Sequence, residues 1–133
     1  MANYYSMGRT NHFAVKDPDA FEEYITPLVG DGDVIREERD GVDGFILLFP
    51  DGVPNYYDPE DGDSVELEWD TIIAPHLADG SVCVIQEIGN EKLRYLTGYA
   101  FAFNNKNESE YLNLNSIYKQ AEHLGTHITE AEW

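Results

Sequence analysis

Between residues 17 and 70 the chain carries 18 acidic side chains and only two basic ones, Arg36 and Arg39. No other feature limits the possible folds as strongly. Like charges at this density repel one another and resist burial, so the segment can fold only with its carboxylates in water and its apolar runs turned inward. The rest of the chain holds 8 acids and 6 bases, which is close to balance. The formal net charge of −18 therefore belongs almost wholly to one part of the molecule.

Disorder is the simplest outcome for a strongly charged chain. Aromatic residues, however, make up 13% of this one, and runs such as Phe45-Ile46-Leu47-Leu48-Phe49 and Ser81 to Ile85 suit a packed interior. A length of 133 residues fits one domain, 1–133, with a real core, and no linker or low-complexity stretch divides it. No run approaches the roughly 20 apolar residues of a membrane span. The start, Met1 to Tyr5, lacks the basic and apolar regions of a signal peptide. The single cysteine, Cys83, lies in an apolar run, which predicts a buried thiol and no intrachain disulfide or cysteine zinc cluster. These features predict a cytoplasmic protein without membrane contact.

The pattern of elements predicts an α+β domain with a mainly antiparallel sheet and about three helices, in the order β-α-β-β-β-α-β-β-β-α. A strand is expected over 7–16. Asp17-Pro18 then starts a helix that runs to about Val29 and buries Phe21, Tyr24, Ile25 and Leu28. Strands over 33–39 and 44–49 flank a loop at Asp40 to Gly44, and 54–57 adds a short strand. A polar loop over 58–64 leads into a second helix over 65–78, kinked or ended at Pro75. Strands over 81–88 and 93–104 surround a turn at Gly89-Asn90-Glu91-Lys92, a strand over 109–114 follows, and a last helix covers 115–124. Helix, Asp-Gly turn, hairpin and strand occur twice in this order, which suggests two αβββ units sharing one sheet.

Chemistry is harder to find. Asp58, Glu60, Asp61 and Asp63 cluster around Gly62, but without the D-x-D-x-D-G spacing of a calcium loop. Asp31, Asp33, Asp40 and Asp43 stand at turns, where aspartate serves the backbone. His12, His76, His123 and His127 form no H-x-x-x-H helix motif, since Gly125 separates the last pair. No nucleophile motif, P-loop or dinucleotide fingerprint is present, so no catalytic residue, metal ligand or cofactor is assigned and no enzymatic activity is expected. The field of the chain repels phosphate, which argues against direct nucleic-acid binding.

A compact chain of this length has a diameter of about 36 Å. Duplex DNA of that length carries roughly 21 phosphate charges, a number similar to the net −18 here. An acidic domain of this size suits a basic nucleic-acid groove. Acidic surfaces also serve solubility and salt tolerance, and that reading stays open.

Two segments, Tyr4-Tyr5 through Arg9 to Asp17 and Gly89 to Tyr99, resemble small acidic proteins of the anti-restriction and anti-CRISPR type carried by phages and plasmids. The resemblance would span most of the chain, and it implies an inhibitor of a host defence nuclease with no catalytic motif to carry over. The expected partner is a basic nucleic-acid-binding protein, such as a CRISPR or restriction nuclease. The expected contacts are Asp31, Asp33, Glu37, Glu38, Asp40, Asp43, Asp58, Glu60, Asp61, Asp63, Glu66 and Glu68, with Tyr56 and Tyr57 as anchors. An immunity-type protein that neutralises a basic toxin, and a carboxylate-based metal-binding domain or enzyme, are the alternatives.

Overall fold

The computed structural model describes residues 4–131. Eight strands and three α-helices follow one another: β1 Tyr4–Thr10, α1 Pro18–Val29, β2 Asp33–Arg39, β3 Val42–Phe49, β4 Tyr56–Tyr57, β5 Val65–Glu66, α2 Trp69–Ile73, β6 Cys83–Glu91, β7 Leu96–Phe103, β8 Ser109–Asn113 and α3 Ser116–Gln120. Six strands form one antiparallel sheet in the order β2-β3-β1-β6-β7-β8, as the α+β reading anticipated. The two hairpins β2–β3 and β6–β7 lie on either side of β1. In the second half the third strand, β8, extends the sheet; in the first half β4 leaves it and pairs with β5.

The first helix forms as its sequence dictates. Asp17 caps it by accepting from the Ala20 amide at 3.2 Å, Pro18 occupies the first turn, and Gly30 ends it with a φ of 68°. Phe21, Ile25 and Val29, four residues apart, are buried against the sheet, while Tyr24 is largely exposed. Phe21 is the hub, with edge-on contacts to Phe13 at 5.8 Å and to Phe45 at 5.1 Å. Trp69, Ile73 and Leu77 complete the cover over Leu47, Phe49, Cys83, Ile85 and Phe103. Burial pushes the Cys83 thiol well above its ordinary range and keeps it protonated.

Four boundaries differ from expectation, each for a local reason. The helix expected over 65–78 shrinks to Trp69–Ile73 and a 3-10 turn at Ala74–His76. Val65, Leu67 and Trp69 alternate with Glu66 and Glu68, a strand period, and Val65–Glu66 pairs with Tyr56–Tyr57. The loop expected at Asp40 to Gly44 contracts to Asp40-Gly41, both with positive φ (52° and 81°), a two-residue hairpin turn.

The turn expected at Gly89 to Lys92 moves to Lys92-Leu93, closed by the Arg94 amide donating to the Glu91 carbonyl at 2.9 Å. Gly89 stays within β6 because Tyr4 lies over it: a Cβ there would collide with the Tyr4 hydroxyl. Finally, β1 starts at Tyr4 and ends at Thr10, and beyond it only single bridges, Phe13 to Phe45 and Val15 to Leu77, continue the pairing.

Candidate functional site

The acidic contact set divides in two. Asp33, Glu37 and Glu38 lie on β2, an edge strand, with Asp31 before it and Asp40 and Asp43 around the turn that follows. Asp58, Glu60, Asp61 and Asp63 occupy the loop between β4 and β5, while Glu66 ends β5 and Glu68 precedes α2. Asp31 and Asp58 line one cleft and so connect the two groups at that end. The Asp40 turn lies at the other end of β2, about 23 Å away at a strand rise of roughly 3.3 Å per residue. The set is therefore an edge with an appended loop, and not one cluster. Carboxylates along an edge strand also discourage pairing with other sheets.

Both basic residues of the acidic segment are engaged within it. Arg36 donates to Asp19 at 2.8 Å, to Asp43 at 3.1 Å and to Glu22 at 3.3 Å, with its guanidinium 5.8 Å from the centre of the Phe45 ring. Hydrogen bonds to Asp19 and then Asp43 raise its already high pKa further. Arg39 pairs with Glu37. Ten of the twelve expected contact acids, all but Glu37 and Asp43, make no ion pair among the described residues. These ten are exposed.

A cleft of about 690 Å³ opens between the end of α1, the Pro50 to Asn55 segment and β4. Tyr56 and Tyr57 line it beside Asp31 and Asp58, and Glu87 lines it from the sheet. Glu87 accepts from the Val53 amide at 2.7 Å, and Trp69 Nε1 donates to the Pro54 carbonyl at 2.8 Å, so the segment between is held from both sides. Tyr56 is exposed and suits an anchor, whereas Tyr57 is half-buried and packs against the core. Tyr99 lies farther along the sheet. Burial, followed by the nearby Glu87 carboxylate, raises its pKa and keeps its phenol neutral.

A second surface was not expected. Among the described residues, the sheet face opposite α1 and α2 leaves Met7, Ile88 and Leu96 of β1, β6 and β7 exposed. Met7 and Ile88, paired across β1 and β6, are each 58% exposed there. Two apolar hollows flank this pair, about 370 Å³ toward Tyr5, Leu96 and Leu114, and about 430 Å³ toward Leu48 and Arg9. The strands were legible, but the sequence reading assigned no layer to either face. Only the placement of the helices shows that one face lacks its layer.

The histidines do not converge: His12 bonds the Glu37 carbonyl, His76 packs on Phe21 and Tyr24, and His123 bonds the Gln120 carbonyl. Among the described residues no three His, Cys, Asp or Glu side chains are placed to hold a metal ion, and no helix is long and apolar enough to cross a membrane. No protein-family model, curated protein or solved structure matches the chain.

Proposed function

We propose that this protein is a binding inhibitor of the anti-CRISPR or anti-restriction type, whose acidic edge occupies a basic nucleic-acid-binding surface of a defence nuclease. The observation that carries this reading is the set of ten exposed carboxylates with no ion pair among the described residues. Arg36 and Arg39 pair with Asp19, Glu22, Asp43 and Glu37, which leaves these ten acids for other cations. Unpaired anions along a sheet edge and its appended loop are relieved when lysines and arginines of a partner meet them, and counterions are released as at a DNA backbone. Tyr56, exposed at the cleft between the two acidic groups, supplies a stiff anchor with a polar tip.

The test is inhibition of an RNA-guided or restriction nuclease, with duplex DNA as competitor. Affinity is expected to fall by about tenfold or more between 50 and 200 mM salt, as charge-dominated contacts do. Reversing Asp31, Asp33, Glu38 and Asp40 to Lys, and separately Asp58, Glu60, Asp61 and Asp63 to Lys, is expected to weaken inhibition with the circular dichroism spectrum unchanged. Salt-independent binding, or inhibition that survives both reversals, would overturn the reading.

A further inference from the structure

We propose that the uncovered face of the sheet joins two copies of this chain, face to face, into a two-fold dimer. The argument starts with where charge is missing. Side chains alternate along a strand, so the registers of β3, β1, β6 and β7 assign which residues share the uncovered face. Across those four strands Arg9 is the only charged side chain on that face, in a chain with 26 acids. Glu87 and Glu91 of β6 both lie on the opposite, helix-bearing face. On the flanking strands carboxylates reappear on this face at Asp33 and Glu37 of β2 and at Glu110 of β8, and Asp51 lines the smaller hollow. A net charge of −18 opposes self-association, and it does so least across the face that carries the fewest charges.

Shape and size agree with a second copy as the occupant. The Met7–Ile88 pair forms a ridge between the two apolar hollows. A surface with a ridge and hollows on either side of it can complement itself about a two-fold axis, ridge into hollow. Four strands at a spacing of about 4.8 Å and a length of about 26 Å give a planar footprint of roughly 500 Å². Counted over both copies this is about 1,000 Å², the lower limit of a specific interface. Two such faces would stack about 10 Å apart as a sandwich, the arrangement a single copy lacks. Arg9, whose Nε donates to the neighbouring Thr10 carbonyl, lies beside the marginal Asp33 and offers a cation at the rim. Asp33 and Glu37 stand at the rim of the joint, while Glu38, Asp40 and the acids of the β4–β5 loop stay outside it and remain open in both copies.

Sedimentation equilibrium and native mass spectrometry of the full chain test this. A dimer is expected at micromolar concentration, and its affinity should rise with added salt, because screening removes repulsion while apolar burial persists. This trend is opposite to that of the nuclease complex, so the two proposals can fail separately. Ile88→Glu and Met7→Glu should each weaken dimerisation by about 30-fold or more, as loss of a central anchor does. Because both sites are exposed in one copy, the circular dichroism spectrum and the cooperative melt should persist. A wild-type chain that stays monomeric at 100 μM, including one that instead binds lipid vesicles or another protein through this face, would overturn the proposal. So would a dimer that survives both substitutions.

Discussion

The two faces of the six-stranded sheet use similar strands for different ends. The helix-bearing face buries Phe45, Leu47, Phe49, Cys83, Ile85 and Phe103 under α1, α2 and the Leu77 segment. The opposite face leaves Met7, Ile88 and Leu96 more than half exposed on strands of the same kind. The difference is one of cover, and not of propensity. Apolar alternation specifies that a strand has a face to bury, while the helices decide which face is buried within one chain. The acidic charge is concentrated in α1, the β2 edge and the loop between β4 and β5, around the central strands.

The comparison breaks most sharply if one substitution is made on each face. Phe21→Ala removes the hub that touches Phe13 and Phe45, and should cost about 3–5 kcal/mol, as aromatic truncation in a core does. Ile88→Ala, measured on the separated monomer, should change stability by less than about 0.5 kcal/mol. Urea unfolding of both variants at low protein concentration checks the pair. Similar losses at the two sites would mean that the faces are not distinguished by cover.

A polar test of the covered side follows. The Thr10 hydroxyl is fully buried where β1 meets β3; it accepts from the Leu47 amide at 3.0 Å and donates to the Asn11 carbonyl at 2.8 Å. Thr10→Val preserves shape and strands both backbone partners, at a cost of about 1–3 kcal/mol. The same unfolding measurement reads it, and Thr10→Ser should recover most of the loss because it restores both bonds.

Much of this architecture is written locally. Asp17-Pro18, the four-residue spacing of Phe21, Ile25 and Val29, and Gly30 specify α1 without tertiary help. The exposure of the acids was legible for the plain reason that unpaired carboxylates stay in water. Other features needed the fold. The Val65-Glu66-Leu67-Glu68-Trp69 alternation carried a strand signal that a helix reading overrode. Gly89 looked like a turn residue, but its small size answers to Tyr4, a neighbour 85 positions away in sequence. The pairing of Asp43 with Arg36 across β2 and β3, and the uncovered face itself, depend on which strands become neighbours, and no local pattern encodes that.

The smallest effect lies where the cover runs out. Tyr99 faces the helix-bearing side but beyond the helices, half-buried beside Tyr111 at 6.0 Å between ring centres and close to Glu87. Burial first, and the Glu87 charge second, raise its pKa above the ordinary tyrosine value of about 10. The folded state therefore holds this proton more tightly than the unfolded state does. Its stabilising contribution is complete below pH 10 or so and is lost as pH rises from there toward the raised folded value. Thermal melts of the wild type should fall progressively above about pH 10, and Tyr99→Phe, which has no proton to lose, should flatten part of that decline. Phe101→Tyr, which would place a second phenol deeper under the cover, should steepen it. If Tyr99→Phe leaves the alkaline limb unchanged, the margin at Tyr99 is as open as the uncovered face, and the boundary between the two sides lies closer to α2.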